Sequence, residues 1–251
     1  MKIEIQHLSS AYEVDLDEPI DLSLALENDS SLGAWYLDPP KIEAVRSPEF
    51  IGEVSEGSPV NFRNIHFNPH AHTTHTESLA HISTEDIPVN GIFSKFHFIA
   101  LLLSFTPKMD GQGNQIIFGS DYDLKRILDS GAEALIIRTI PNESDKKLKN
   151  YSHANPPYLD LEFVKSIRDL GIDHLLIDLP SIDAEEDGGL LLGHHAFWGF
   201  PNKLRPHASI SEFIFVRNEV EDGLYWMNLV PANIKNDAAI SRPILYRLNP
   251  K

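Results

Sequence analysis

The sequence predicts an α/β fold in one domain, residues 1–251, built on a mixed sheet with a few helices on one side. Three observations predict it. Two helix-then-strand units follow one another between Ser120 and Ser181, and alternation of that kind builds an α/β layer. The run "FHFIALLLSFTP", Phe96–Pro107, is apolar almost throughout, as in a strand buried on both faces. The last fifty residues then return to short strand-like segments. No internal repeat, low-complexity tract or linker divides the 251 residues, a length that one large domain can hold.

Taken in order, "MKIEIQH" and "PIDLSLALEN" read as strands. "GAWYLDPPKIEAVRS" follows, with Pro39-Pro40 interrupting regular structure. "GSPVNFRNIHFNPH" alternates apolar and polar residues, as a half-buried strand does. After the apolar strand, "SDYDLKRILDSG" has helical spacing at Leu124, Ile127 and Leu128, a Ser120 or Asp121 N-cap, and Gly131 as a stop. "AEALIIRT" is its strand. "LDLEFVKSIRDLG" and "IDHLLIDLPS" repeat the unit, and "SISEFIFV", "GLYWMNLVPANI" and "RPILYRL" close the chain as strands.

Composition narrows the chemistry. There is no cysteine, which removes thiolate metal sites and cysteine nucleophiles. A formal charge of −16 repels phosphate backbones, so no nucleic-acid partner is expected. No apolar run approaches the roughly 20 residues of a membrane helix, and the first residues lack the apolar centre of a signal peptide. The expectation is a cytoplasmic protein without a membrane partner, acting on a small molecule.

The chemistry concentrates in "HFNPHAHTTHTESLAHI", which places five of the twelve histidines and one glutamate within His66–Ile82. A single histidine there would read best as a hydrogen-bonded loop residue; five, with a carboxylate at i+2 from His75, read as metal ligands. In a strand His75 and Glu77 share a face, about 6–7 Å apart by strand rise. His70 and His72 have the opposite parity, so one of them joins His75 only if the chain bulges or turns at Thr73-Thr74. Nitrogen and oxygen donors accept Zn, Mn and related divalent ions.

Two resemblances compete. His70-x-His72-x4-Glu77 is similar to the metal-binding core of the cupin family, a jelly roll, although the flanking glycines and the second histidine segment are missing. "THTESLAHI" resembles the signature of the cyclase family, whose bacterial kynurenine formamidases and isatin hydrolases carry H-x-G-T-H-x-D-x-P-x-H. Thr74, His75, Thr76 and His81 fall on it in register. "GIDHLLIDLPSID", "GHHAFW", "SISEFIFV" and "LYWMNLVPANI…SRPIL" resemble later family segments in the same order, and "GAWYLDPP" sits where the family has an aromatic loop. The chain departs from the signature at Glu77 for aspartate, at Thr73 for glycine, and at Ala71, where the first histidine belongs; a one-residue insertion would make His70 that ligand.

The cyclase resemblance implies a swivelling β/β/α arrangement and a homo-oligomer, dimer or tetramer. It implies two divalent ions, one held by His70, His75 and Glu77, the other by Glu77, His194 and Glu212. His81 and His195 would stand free at the pocket as catalytic groups, and Trp35, Tyr36, Phe197 and His72 would face the substrate. The activity implied is cleavage of a C–N bond in a small amide, formamide or lactam by metal-activated water. An unperturbed histidine pKa near 6.5 suits proton delivery to the leaving nitrogen, and His81 takes that role by its place in the signature. The other expectations are a cupin-type single-metal oxygenase or isomerase, or a metal-binding protein without catalysis. No G-x-S-x-G or H-E-x-x-H competes.

Overall fold

The computed structural model describes residues 1–121 and 124–251. Its centre is a curled nine-stranded mixed sheet. The strands are β1 (Ile20–Asp21), β2 (His75–Glu77), β3 (His97–Phe105), β4 (Ala134–Thr139), β5 (His174–Ile177), β6 (Ser209–Glu212), β7 (Gly223–Asn228), β8 (Ala238–Ile240) and β9 (Ile244–Arg247). Across the sheet they lie in the order β8-β2-β6-β5-β4-β3-β7-β9-β1. β3, β4, β5 and β6 run parallel, and the strands on either side join antiparallel.

Alternation explains why the central residues of β3, β4 and β5 are apolar. Leu101, Leu103, Leu135, Ile137, Leu175 and Ile177 pack on one face with Phe163, Val164, Ile167 and Trp198. Their neighbours Leu102, Ile136 and Leu176 pack on the other with Ile214, Tyr225 and Met227. Successive side chains of a strand point to opposite faces, so burial on both sides keeps the middles of β3, β4 and β5 apolar, and polar residues such as His174, Arg138 and Glu212 fall at strand ends or in β6.

Helices cover the first face. α1 is the single turn Pro69–His72, α2 spans Leu124–Ser130, α3 Leu161–Asp169 and α4 Leu192–Trp198. α3 begins where the Asp160 carboxylate accepts the Phe163 N–H at 3.1 Å, a side-chain N-cap. It buries Phe163, Val164 and Ile167, one stripe at helical spacing. The capping expectation at Ser120 or Asp121 abuts residues 122 and 123, outside the described residues.

Several expectations shorten. "PIDLSLALEN" keeps only Ile20–Asp21 as strand. "SISEFIFV" ends its pairing at Glu212, because Phe213 takes a left-handed φ of 54°, a conformation that breaks a ladder. The first strand, Lys2–His7, forms a hairpin with Ser10–Asp15, on which Asn249–Pro250 adds. The cupin expectation is overturned: four parallel strands flanked by helices are not the antiparallel double sheet of a jelly roll.

Candidate metal centre and active site

Register brings the first two functional side chains together. β2 lies between β6 and β8, with His75 opposite Glu212 and Glu77 opposite Ile210 and Ala238. Directly opposed residues of antiparallel strands have Cβ atoms about 5 Å apart. His75 Nε2 accordingly stands 3.4 Å from Glu212 Oε2, on the face that also carries Glu77. All three are buried.

The turn expected at Thr73-Thr74 is α1 instead. Pro69 starts it, Asn68 caps it by accepting the His70 N–H at 2.9 Å, and Thr73 re-enters extended backbone. One helical turn swings His70 over the strand, so that its Nδ1 lies 3.1 Å from Glu77 Oε2. His72 turns the other way. Its Nδ1 accepts the Asn68 N–H at 2.9 Å, and the ring does not line the cavity. The substrate-facing expectation for His72 is therefore corrected: this ring closes the turn.

His194 comes from α4, with Nε2 3.1 Å from Glu77 Oε1 and 3.8 Å from Glu212 Oε1. His81, at the end of the short turn Leu79–His81, points Nε2 toward Glu77 Oε2 at 3.8 Å and stacks on His70 at 4.3 Å between ring centres. Glu77 thus stands at the middle of four imidazoles and a second carboxylate.

Two further aspartates orient these rings, and sequence reasoning assigned neither. Asp183 Oδ2 accepts from His194 Nδ1 at 2.6 Å and from its backbone N–H at 3.0 Å. Asp237 Oδ2 lies 2.9 Å from His70 Nε2 and 3.2 Å from His81 Nδ1. Asp183 had a local signal, an acid just past the carboxyl end of a parallel strand, where α/β folds place ligands. Asp237 had none; it arrives because its neighbour Ala238 pairs with Glu77.

The donors fit a divalent cation. Both Glu77 oxygens and His75 Nε2 are buried without a hydrogen-bond partner, although imidazole nitrogens stand as close as 3.1 Å. With the imidazoles neutral, groups crowded this closely present lone pairs to a common point. His75 Nδ1 faces the Thr73 carbonyl at 3.1 Å, and donation there fixes the tautomer that leaves Nε2 free; Asp183 does the same for His194. Within 4.8 Å of one another lie donor atoms of His70, Glu77 and His81, and likewise of His75, Glu77 and Glu212. This grouping differs from the implied one: His81, expected free, converges with His70, while His75 sits with Glu212.

Charge agrees with the geometry. Burial alone would depress His70, but Asp237 and Glu77 outweigh it and hold its pKa up at about 10. Burial would likewise depress His194, and Asp183, Glu77 and Glu212 raise it well above the ordinary value. Glu77 goes the other way: burial would raise it, and His81, His194 and His70 bring it well below the usual carboxylate range. The charge that draws His70 and His194 toward these buried carboxylates in the bare protein acts in the place a cation would take.

A cavity of about 290 Å³ opens onto this cluster, lined by His70, His81, His194 and Glu212 at its floor and by Trp35, Leu37 and Leu191 on its walls. Tyr36, expected to face the substrate, does not itself line the cavity; its hydroxyl donates to the lining residue Glu185 at Oε1, 2.9 Å away. Two further expectations fail here. His195 follows His194 on a helix, where consecutive side chains diverge by about 100°; it lines a separate cleft between α3 and α4, with its ring 5.0 Å from Phe200. Phe197 is wholly buried in the helix-side core beneath the Arg205 guanidinium. Neither reaches the cavity.

Comparison with known proteins gives a consistent picture. A family model described as "Putative cyclase" matches residues 20–184. Among curated proteins no sequence matches. Solved structures do match in fold. A predicted metal-dependent hydrolase from Bacillus stearothermophilus superposes with a TM-score of 0.59 at 16% identity, over 91% of this chain and 98% of that one. An isatin hydrolase bound to the product analogue thioisatinate gives 0.62 at 12% identity over 93% of each chain. Isatin hydrolase A from Labrenzia aggregata, bound to benzyl benzoate, gives 0.63 at 14% identity over 91% of this chain and 93% of that one.

Proposed function

The chain belongs to the putative cyclase family, and from that premise we propose that it is a metal-dependent hydrolase cleaving a C–N bond of a small amide, formamide or lactam. One observation carries the proposal: Glu77 and Glu212, both buried, stand among imidazole nitrogens with which they make no hydrogen bond that satisfies Glu77. A buried carboxylate is costly unless paired or metal-bound. His70, His75, Glu77, His194 and Glu212 would hold the metal, one or two divalent ions such as Zn or Mn.

When bound, a divalent ion lowers the pKa of its water to about 7 and polarises the scissile carbonyl. The remaining work falls to the chain. Trp35, Leu37 and Leu191 exclude water and seat an apolar substrate face against the donors. Trp35 is itself fixed by its indole N–H, which donates to the His70 carbonyl at 3.1 Å. His81 lines the cavity and is the least buried of the clustered imidazoles, with 26% of its side chain exposed. Its Nδ1 is tethered at Asp237, so Nε2 can pass a proton to the leaving nitrogen.

Metal analysis of the purified protein, with His72→Ala and Glu212→Ala compared, tests the reading. Glu212→Ala should lose an ion and turnover of a formanilide or lactam; His72→Ala should keep full metal content. Full metal content without turnover of any amide would leave a binding protein instead. The proposal includes a cytoplasmic homo-oligomer, dimer or tetramer, checked by light scattering.

A further inference from the structure

The mouth of the active-site cavity carries charge of one sign. Among the described residues that line it there is no lysine or arginine; Glu185 and Asp187 stand there instead. Neither has a cationic partner within ion-pair distance, and what holds them is neutral. Glu185 accepts the Tyr36 hydroxyl and the His153 and Asn155 backbone N–H groups. Burial would raise its pKa, but the His153 N–H, the Tyr36 hydroxyl and the Asn155 N–H outweigh this and bring it down, so the carboxylate stays ionised. Asp187 accepts the Gly189 and Leu191 N–H groups at 2.8 and 2.6 Å.

The backbone shows that this rim is built. Among the described residues, eight non-glycine residues have left-handed φ. Trp35 and Leu191 line the cavity, Tyr36, His153 and Asn155 are the residues whose hydroxyl or N–H groups Glu185 holds, and Phe213 follows Glu212. Such conformations are strained and persist where surroundings over-determine them. Glu185 supplies that constraint, because its one carboxylate ties the segment around Tyr36 to the one around His153.

The floor does not reverse the sign. Glu77, Glu212, Asp183 and Asp237 surround the metal donors, and four carboxylates offset up to two divalent ions. An approaching substrate therefore meets the rim charge largely unopposed, between aromatic side chains that favour cations over their faces.

We propose that the cavity selects a substrate whose part remote from the scissile bond is an aromatic or apolar group bearing a neutral or cationic substituent, and rejects one bearing a carboxylate. The reacting centre in this statement rests on the hydrolase reading, but the charge preference can be measured without turnover. The probes are 4-substituted benzohydroxamates, which bind metal through the hydroxamate: 4-aminomethyl (cationic), 4-methyl (neutral) and 4-carboxy (anionic). Kd for each is measured calorimetrically on the metal-loaded protein. The expected order is cationic, then neutral, then anionic, with the anionic probe at least about tenfold weaker than the cationic one. Glu185→Gln and Asp187→Asn should each shrink that ratio; the second variant leaves the Glu185 tie intact should the first loosen the loops. Equal Kd values, tighter binding of the carboxylate, no binding of any probe, or a ratio unmoved in both variants overturns the proposal. Turnover of the matching formanilides is measured alongside. If none is hydrolysed while the Kd order holds, the hydrolase reading falls and the charge selectivity stands.

Discussion

Asp183 does not line the cavity, yet it decides which nitrogen of His194 faces Glu77. Its Oδ2 holds His194 Nδ1, leaving Nε2 for a metal. Outer partners of ligating histidines typically contribute 10–100-fold in metal affinity, so Asp183→Asn should weaken metal binding by about that factor, as read by competition with a chelator. The raised His70 pKa gives a second expectation. A proton on His70 must leave before its Nδ1 can ligate, so between the ordinary 6.5 and about 10 apparent metal affinity should rise with pH, by at most about tenfold per unit for one displaced proton. His174 is a separate case. Buried between Phe93 and Phe98 and bonded to Ser209 Oγ at 2.9 Å, it has its pKa lowered to about 4 by burial. The unfolded chain takes up this proton first, so the stability contributed by neutral His174 is complete above about pH 6.5 and is lost as pH falls toward 4. The shift corresponds to roughly 3 kcal/mol. His174→Leu should remove that component from the pH dependence of urea unfolding.

At the scale of elements, legibility followed locality. The helix α3 and strands β3 and β4 were readable because periodicity and end signals lie within each segment: Asp160 and Gly171 bracket α3, and β3 is apolar from Phe98 to Leu103. The "HHAFW" helix was not readable, since its short run carries no capping side chain and begins at Leu191 with a left-handed φ of 45°. That omission explains the His195 and Phe197 errors: in a turn neighbouring histidines can share a site, whereas on a helix they cannot. Packing of α3 also sets a test. A Cβ on Gly119 would lie 2.4 Å from Phe163 Cδ2, so Gly119→Ala forces the ring out of the core beneath the sheet. Overpacking of this kind costs about 1–3 kcal/mol, measurable as a lower urea midpoint with unchanged m-value.

For the whole molecule, the centre joins residues from four separate stretches, 70–81, 183–194, 212 and 237, so ligand binding and folding are coupled. Anything that binds the folded state alone adds RT ln(1 + [L]/Kd). Zinc or manganese at one hundred times its Kd should add about 2.7 kcal/mol, raising Tm by roughly 5–10 °C at this chain length, and a chelator should reverse it. Glu77→Gln should abolish that shift. The sequence alone determined the class of fold and the kind of donor: apolar periodicity reports which faces are buried, and an absence of cysteine leaves only nitrogen and oxygen. It also marked the order of the segments. Only the tertiary structure decided which donors meet: His70 rather than His72, His194 without His195, and Asp237 beside both His70 and His81. Burial pattern is a local property that each segment carries with it, whereas the direction of a side chain toward a partner 160 residues away depends on strand register and helix phase, which the packed sheet alone sets.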